Sequence, residues 1–513
     1  MILSRKKTIA LIIGLLIFVG LIFLPTPKGL AIEGQNMLAV GCLMAVWWVT
    51  ESIHISATAL LPLILFPLLD IMSSKEVAAN YGNQLIFLFL GGFMIALAMS
   101  KWNFHKRMAL NIIIFVGTSP TKIILGFMLA TAFLSMWISN TATTMMMLPV
   151  SMAVVNQIAL GASINGQNGP KVEQKIRSDY GLIMMLSIAY SASIGGVSTL
   201  IGTPPNIVFL GFYKQLFPDQ PEMEFFKWVK LTLPLVLLIL PLTWFYLCRW
   251  ASPIKTSSIN CNRNSSSLVQ SELKLLGPMN LAEKYVAGVF FTTVLLWFFR
   301  KPISLGSFDI PGWSGLVGNP GYLNDSTVAM FMGLLLFLLP LNLKDGIKIG
   351  EQKEYFVLDW ETVEQGVPWG ILLLFGGGFA LAHGFEKTGL DLWVGSHLTT
   401  IAGLPQWFVI LMVCLSVTFL TELTSNTATA AMILPALGSA ATISGIEPLM
   451  LMIPATLSAS FAFMLPVATP PNAIVFSSGW VSIPKMVRAG FILNILIAIL
   501  TTIWIIAALD FFN

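Results

Sequence analysis

The sequence Ser-Asn-Thr-Ala-Thr, residues 139–143, lies at the centre of a long apolar stretch, and the same five residues return at 425–429 in a second one. These stretches cover 121–157 and 406–442. A lipid-facing helix would not carry Ser-Asn-Thr at its midpoint, because hydrocarbon leaves exposed amide and backbone groups without hydrogen-bond partners. We therefore expect each stretch to form a re-entrant helical hairpin that enters and leaves the membrane on one side.

Other short motifs recur around this pentapeptide. Gly-Gly-Phe at 91–93 returns at 377–379, at the same offset of 286 residues as the pentapeptide. Pro-Pro-Asn at 204–206 returns at 470–472, after a shorter interval. Because the motifs of the first half recur in the same order in the second half, they indicate an internal repeat. Counting the crossings between the copies predicts that the second copy is inverted, as in many secondary transporters whose broken helices meet near the bilayer midplane.

Composition indicates an integral membrane protein. Of 513 residues, 56% are hydrophobic and 10% charged, whereas soluble domains carry about 25% charge. The sequence contains no Walker lysine loop, which disfavours an ATP-driven pump. Its basic residues do not form a patch that would bind nucleic acid. We predict an all-α protein with about 11 transmembrane helices plus the two hairpins. The expected spans are 8–26, 37–52, 55–71, 83–100, 181–212, 229–248, 285–299, 327–341, 367–385, 447–480 and 487–509.

Basic residues predict the orientation. If the N-terminus is cytoplasmic, Lys and Arg concentrate in inside loops at 101–122, 171–177, 249–284 and 344–353. The outside segment 302–326 has none. This asymmetry follows the tendency of Lys and Arg to remain cytoplasmic. We expect a multi-pass protein of the cytoplasmic membrane, surrounded by lipid.

The repeated segments are poor in ionisable side chains. Residues 131–157, 188–212 and 455–480 contain no Asp, Glu, Lys, Arg or His, and among these residue types 411–442 contains only Glu422. Helix N-termini at the breaks suit carboxylate oxygens. The carbonyls of Gly202 and Ala468, freed before the Pro-Pro pairs, suit sodium ions. Sodium ions bound next to a divalent anion would favour its binding, and the anion would favour theirs. This would couple cation and anion binding without a buried arginine, which is costly in a membrane.

Packing is the competing interpretation of these small polar residues. Their duplication at matched positions favours a binding site, since Asn is costly in hydrocarbon without partners. For Glu422 two roles stay open, local pairing that orients the hairpin tip and proton sensing. The four histidines are scattered, which favours packing or interfacial roles.

The motifs resemble those of the divalent anion/sodium symporter family of dicarboxylate and citrate carriers. They include Gly-Thr-Pro-Pro-Asn at 202–206, Ala-Thr-Pro-Pro-Asn at 468–472 and the glycine-rich run at 367–382. The resemblance implies a homodimeric elevator, in which a scaffold domain fixes the dimer while a transport domain carries the substrate. Scaffold helices would be 1–120 and 285–400, and the transport domain would be 121–212, 229–248 and 401–509.

The resemblance also implies specific ligands. The first sodium site would use Ser135, Ser139, Asn140 and the Gly202 carbonyl, and the second Thr421, Thr424, Asn426 and the Ala468 carbonyl. The di- or tricarboxylate would meet Asn140, Thr141, Thr203, Pro204, Ser425, Asn426, Thr427, Thr469 and Pro470.

The leading hypothesis is sodium-coupled symport of anions such as succinate, malate, fumarate or citrate. A sodium-independent dicarboxylate exchanger and a sulfate carrier are the alternatives within transport. An anion channel could also place helix N-termini around a neutral pore. An intramembrane enzyme is disfavoured, because neither His nor Cys lies near the tips and Glu422 is the only acid-base candidate there.

Overall fold

The chain folds almost entirely into helices. The computed structural model describes residues 5–117, 119–164, 169–251, 264–304, 309–317, 319–341, 347–349, 352–397 and 404–509. Parts of the basic loops, 252–263 and 342–346, and the expected domain boundary at 400/401 lie outside these residues.

The described residues contain 23 α-helices. They are α1 (Arg5–Phe23), α2 (Ile32–Thr50), α3 (Ile55–Thr58), α4 (Pro62–Leu68), α5 (Ser74–Tyr81), α6 (Gln84–Lys101), α7 (Phe104–Val116), α8 (Pro120–Ser135), α9 (Asn140–Ile164), α10 (Gly169–Gly196), α11 (Pro204–Leu216), α12 (Phe225–Tyr246), α13 (Asn264–Leu275), α14 (Leu281–Phe298), α15 (Asp325–Leu338), α16 (Trp360–Gly366), α17 (Trp369–Lys387), α18 (Leu390–His397), α19 (Gln406–Thr421), α20 (Asn426–Ser444), α21 (Pro448–Ser460), α22 (Pro470–Phe476) and α23 (Ile483–Leu509).

Two small antiparallel hairpins complete the regular structure. β1 (Ile303–Ser304) pairs with β2 (Asp309–Ile310), and β3 (Ile347–Ile349) pairs with β4 (Gln352–Glu354). Both lie in connections between helices.

Six described stretches are long and apolar enough to cross a membrane. They are Ser74–Lys101, Asn140–Leu160, Phe225–Arg249, Leu281–Phe298, Trp369–Lys387 and Ile483–Ala508. Six further apolar stretches of 10–17 residues are shorter. The segment expected to be one span at 55–71 divides into α3 and α4 before Pro62, which occupies the first turn of α4.

The amphipathic helix α7 was not predicted, since its first turn reads Phe-His-Lys-Arg and resembles a basic loop. Ion pairs hold it against neighbouring helices. Arg107 pairs with Glu283 on α14, and Lys106 Nζ lies 2.9 Å from Glu272 on α13. The segment 171–177, expected to belong to an inside loop, is likewise helical, since α10 begins at Gly169.

Both Ser-Asn-Thr segments interrupt helices as predicted. Residues 136–139 separate α8 from α9, and residues 422–425 separate α19 from α20. The Pro-Pro segments also break helices. Thr203 and Thr469 are extended, with φ and ψ of −145° and 141°, and −140° and 149°. A residue before proline is driven out of the helical region, and proline itself is favoured in the first helical turn, so α11 and α22 begin there.

The two halves of the chain are interlocked. α9 packs against α22 and α20 packs against α11, so each hairpin contacts the short helix of the other half. The first hairpin also lies on α10 and the second on α21. We call the eight helices α8–α11 and α19–α22 the transport body. Among the described residues it contacts the remaining helices at several places, with α8 against α7, α19 against α23, α20 against α18 and α11 against α17.

A buried ion pair joins α14, α15 and the start of α12. The Arg300 Nε–Asp325 Oδ1 distance is 2.6 Å, and the Phe225 backbone N–H donates to Asp325 Oδ2 at 3.0 Å. Arg300 is 4% exposed and Asp325 8%. A buried charge is costly without an opposite charge beside it. The pair therefore holds the ends of these three helices together.

Candidate functional site

The first hairpin tip holds three oxygen atoms together. The Ser135 hydroxyl, in the last turn of α8, contacts Asn140 Oδ1 at the start of α9. It also lies 2.7 Å from the backbone carbonyl oxygen of Ala192 on α10. We call Ser135 Oγ, Asn140 Oδ1 and the Ala192 carbonyl the first oxygen cluster.

The second tip repeats this arrangement. The Thr421 hydroxyl, at the end of α19, lies 2.8 Å from Asn426 Oδ1 and 2.8 Å from the Ala459 carbonyl oxygen. These three atoms form the second oxygen cluster. Ser135 and Thr421 are both fully buried.

Each cluster has more acceptors than protons. A hydroxyl carries one proton, so Ser135 or Thr421 satisfies one of its two acceptors at a time. The second acceptor oxygen then lies next to the hydroxyl oxygen with no hydrogen atom between them. Converging hydroxyl, amide and carbonyl oxygens are the ligands that hard cations prefer, and a sodium ion would satisfy all three at once.

The asparagine amides have a second free face. Among the described residues, no acceptor receives a hydrogen bond from Nδ2 of Asn140 or Asn426, although Oδ1 of each belongs to a cluster. Both side chains are partly exposed. One amide can therefore bind a cation through its oxygen and a carboxylate through its N–H groups.

Two glycines allow the first tip to approach α10 and the broken helix. A Cβ atom on Gly196 would lie 2.6 Å from Asn140 Oδ1, and one on Gly202 would lie 2.9 Å from the Ser135 carbonyl oxygen. Both distances are shorter than real Cβ contacts, so only glycine fits. Gly202 thus lies beside the backbone of Ser135, whose hydroxyl belongs to the first oxygen cluster.

The remaining expected sodium ligands make no hydrogen bond to the atoms of the two oxygen clusters. Ser139 Oγ accepts a hydrogen bond from the Ala142 N–H at 3.3 Å and is exposed. The Thr424 hydroxyl contacts Thr429 and the Leu420 carbonyl, 3.2 Å away, and makes no hydrogen bond within the second oxygen cluster. Ala468 is buried in the loop before α22.

The expected substrate contacts surround four helix N-termini. Thr141, Ser425 and Thr427 lie in or beside the first turns of α9 and α20, and Thr203, Pro204, Thr469 and Pro470 begin α11 and α22. Thr469 Oγ1 accepts a hydrogen bond from the Asn472 N–H at 3.3 Å. The first turns of α9 and α20 present backbone donors and a partial positive charge, whereas α11 and α22 begin with Pro-Pro and so lack their first two N–H groups.

Sequence reasoning missed the carbonyls of Ala192 and Ala459. A signal existed, because Ser-Ala-Ser at 191–193 returns at 458–460 in matching order. It also missed the role of Asn206 and Asn472 in shaping the breaks. Asn206 Nδ2 donates to the Thr199 carbonyl at 2.7 Å, and Asn472 Nδ2 donates to two loop carbonyls at 3.0 Å.

The two breaks differ in exposure. Residues 202–213 of the first are buried except for Pro204, since α11 lies under α17. In the second, Val467 is 83% exposed and Pro470, Ala473 and Ser477 are also exposed. The site is therefore covered on the α11 side and open on the α22 side.

A cavity of about 120 Å³ lies away from both tips. It is bounded by the end of α11, the loop 217–224 and residues 324–326, with Arg300 and Lys214 in its wall. None of the expected site residues lines it, so the clusters are the better candidate for the binding site.

The chain is similar to known transporters over nearly its full length. It is 42% identical over 490 residues to the sodium-dependent dicarboxylate transporter SdcS of Staphylococcus saprophyticus, covering 96% of this chain and 89% of the relative. It is 40% identical over 499 residues to SdcS of Staphylococcus aureus strain RF122, covering 97% and 90%.

Solved structures share the fold at low sequence identity. The YdaH transporter of Alcanivorax borkumensis superposes with a TM-score of 0.53 at 11% identity, covering 84% of this chain and 87% of that one. MtrF of Neisseria gonorrhoeae, an antimetabolite efflux pump, gives a TM-score of 0.54 at 11% identity, covering 97% and 93%. At this identity the likeness concerns the fold alone.

The family comparison agrees with the motifs and with the paired tips. Residues 5–512 match the family described as sodium:sulfate symporter transmembrane region. The chain therefore belongs to this family of divalent anion/sodium symporters.

Proposed function

We propose that this protein couples the inward movement of sodium ions to the transport of di- and tricarboxylates such as succinate, malate, fumarate or citrate. The relatives named sodium-dependent dicarboxylate transporters support sodium and this substrate class. The observation that carries the proposal is the pair of oxygen clusters. In each cluster, one hydroxyl proton is shared between two acceptor oxygens.

The site residues take roles that follow from these contacts. Ser135, Asn140 and Gly202 hold one sodium ion with the Ala192 carbonyl, and Thr421 and Asn426 hold another with the Ala459 carbonyl. Ser139, Thr424 and Ala468 complete the two shells. The amide Nδ2 groups of Asn140 and Asn426, with the four helix N-termini, bind the carboxylates. Sodium fixes each amide oxygen and so orients its N–H groups towards the anion.

An elevator movement of the transport body supplies alternating access. The body is interlocked, and one of its contacts with the other helices is that of α11 with α17. There Gly211 lies so close to the Phe379 ring that no side chain would fit. The described residues form no ion pair between α11 and α17, so no charge pair has to break there when the body moves. Two copies form the dimer whose scaffold stays fixed.

The test is uptake of radiolabelled succinate by proteoliposomes that contain the purified protein. An inward sodium gradient should drive accumulation above the external concentration, and potassium in place of sodium should abolish it. Excess unlabelled sulfate should compete less well than malate.

Two results would contradict the proposal. Uptake that ignores sodium but rises with internal dicarboxylate would make the protein an exchanger. Uptake displaced by sulfate and not by malate would make it a sulfate carrier, with tips that recognise a tetrahedral anion.

A further inference from the structure

Asn206 and Asn472 occupy the same position in the two halves, at the end of each Thr-Pro-Pro-Asn motif. Each lies in the first turn of a short helix, α11 or α22, and each is fully buried. Each side chain donates from Nδ2 to backbone carbonyls of the loop before its own helix. These bonds connect the start of the helix to the loop that carries an expected sodium ligand.

In the first half, the asparagine amide and an expected ligand residue share one acceptor. Asn206 Nδ2 lies 2.7 Å from the Thr199 carbonyl oxygen, and the Gly202 N–H donates to the same oxygen at 3.4 Å. A bond from the first to the fourth residue closes a turn, and the carbonyl of Gly202 leaves the end of this one. Since Gly202 also lies against the Ser135 backbone, the position of the turn determines how Gly202 meets the first hairpin tip.

The second half repeats these two bonds. Asn472 Nδ2 donates to the Leu465 carbonyl at 3.0 Å, and the Ala468 N–H donates to the same oxygen at 3.2 Å. Leu465 and Ala468 stand 266 residues after Thr199 and Gly202, the interval that also separates the two asparagines. The expected ligand residue of each half is therefore one shared carbonyl away from an asparagine amide.

The loops make matching bonds although their sequences differ. Residues 197–201 read Val-Ser-Thr-Leu-Ile, and residues 463–467 read Phe-Met-Leu-Pro-Val. The side chains of the loops therefore cannot be the common cause of the two turns. The asparagine is the same in both halves, and its amide reaches the equivalent carbonyl in each.

The asparagines serve through their N–H groups and not through their oxygens. Within the part of the chain that the structure describes, Oδ1 of Asn206 and Oδ1 of Asn472 have no hydrogen-bond partner, although both are buried. A buried acceptor without a donor is costly, so a side chain suited to stability alone would not leave one at both positions. The amide donors must supply something that offsets this cost.

We infer that Asn206 and Asn472 are positioning residues for sodium binding. Each holds the first carbonyl of a turn, so that the carbonyl of the last residue, Gly202 or Ala468, faces the ion at that tip. The inference rests on the proposed function and deepens it, because it says what keeps two of the proposed ligands in place. Removing a hydrogen bond that orients a metal ligand typically weakens metal binding by about tenfold or more.

The experiment is a sodium titration of thermal stability with the purified full-length protein in detergent. The midpoint is the sodium concentration that gives half of the maximal rise in melting temperature. Asn426→Ala removes the second site and leaves the first, and Asn140→Ala does the reverse. Adding Asn206→Leu should raise the midpoint of the Asn426→Ala protein about tenfold and leave that of the Asn140→Ala protein within about twofold. Adding Asn472→Leu should do the opposite, a crossed pattern that a merely structural role would not give.

The leucine variants are expected to fold. Leucine has nearly the size of asparagine and removes the unpaired Oδ1, and the Thr199 and Leu465 carbonyls keep their bonds from the Gly202 and Ala468 N–H groups. Asn206→Ser is a second variant for the first half. Its hydroxyl lies one bond closer to the backbone than Nδ2 and so falls short of the Thr199 carbonyl, and it should raise the midpoint as leucine does.

Thr232 supplies a matched control in the same loop. Its hydroxyl lies 3.1 Å from the Ser198 carbonyl oxygen and is fully buried. This contact holds the loop one residue before Thr199 but does not involve the carbonyl that the Gly202 N–H shares. Thr232→Val keeps the shape and removes the hydroxyl, so it should lower the melting temperature without sodium and leave the midpoint of the Asn426→Ala protein within about twofold.

The same variants have a second readout in otherwise wild-type protein. Asn206→Leu and Asn472→Leu should each raise the sodium concentration for half-maximal succinate uptake about tenfold, and Thr232→Val should leave it within about twofold. This measurement decides the matter if a protein with one site removed no longer responds to sodium.

The outcomes are distinct. If the leucine variants lower only the melting temperature, if each shifts both sites equally, or if Thr232→Val shifts the midpoint as far as Asn206→Leu, the asparagines only hold the helix breaks together. The inference is then overturned while sodium coupling stands. If sodium neither stabilises the wild-type protein nor drives its uptake of succinate, the sodium sites themselves fail and the inference fails with them.

Discussion

Replacing Thr421 with valine tests the second oxygen cluster most directly. Valine has nearly the shape of threonine but lacks the hydroxyl, so the packing of this fully buried residue stays close to the original. The change removes the one proton donor, 2.8 Å from both Asn426 Oδ1 and the Ala459 carbonyl oxygen. It also removes one of the three oxygens available to a cation.

The expected effect follows from these contacts. A hydrogen bond or ligand contact to a charged group is worth about 1.5–3 kcal/mol, and about 1.4 kcal/mol corresponds to a tenfold change in an equilibrium constant. The sodium concentration that gives half-maximal succinate uptake should therefore rise about ten- to a hundredfold in Thr421→Val.

The first half of the chain supplies the matched control. Serine occupies the position equivalent to Thr421, as Ser135, so Thr421→Ser keeps the hydroxyl in a form that the repeat already uses. Its sodium dependence should stay within about threefold of wild type, since a donor and a ligand remain. The assay is initial succinate uptake by proteoliposomes over a range of sodium concentrations. Equal damage from serine and valine, or no shift with valine, would refute a role for the hydroxyl in cation binding.

Three further outcomes are expected. Asn140→Ala should abolish succinate uptake while size-exclusion chromatography shows an unchanged folded protein, and normal uptake would exclude this residue from the site. Asp325→Ala should destabilise the protein by about 3 kcal/mol in equilibrium unfolding, because buried Arg300 loses its carboxylate partner at 2.6 Å and keeps Glu224 at 3.8 Å, and a loss under about 1 kcal/mol would contradict the buried pair. The hydrogen bond from Lys214 lowers the pKa of Glu222 below its ordinary value, so the small stabilisation from this pair is present above the ordinary carboxyl pKa and lost as the pH falls through the lowered one. Lys214→Gln should return the Glu222 titration, followed by NMR, towards its ordinary range, and an unchanged titration would contradict the pairing.

The positions of the helix breaks could be predicted because they follow from local chemistry. Ser-Asn-Thr in an apolar run leaves polar groups without partners in lipid. Pro-Pro after a threonine removes two donors and drives the preceding residue out of the helical region. The same local chemistry and its duplication led to the prediction that Asn140 and Asn426 are ligands, without any knowledge of the packing.

Other features depended on tertiary contacts and were not predictable in this way. The basic first turn of α7 obscured its amphipathic pattern, and its charges find their partners only where α13 and α14 pack against it. The Ala192 and Ala459 carbonyls belong to backbone, so their side chains carry no signal for them. The contacts of the Thr424 hydroxyl depend on where α20 places Thr429, which lies five residues further along the chain.

The crossed packing of the two halves also constrains how the chain matures. The helix that follows the first tip, α9, lies against α22, which begins at Pro470. The ribosome must therefore reach the segment after Pro470 before the first hairpin meets this partner. During that interval the face of α9 that later packs on α22 lacks its final neighbour. Biogenesis of this protein thus closes late, and a chain truncated before α22 leaves that face of the first hairpin uncovered.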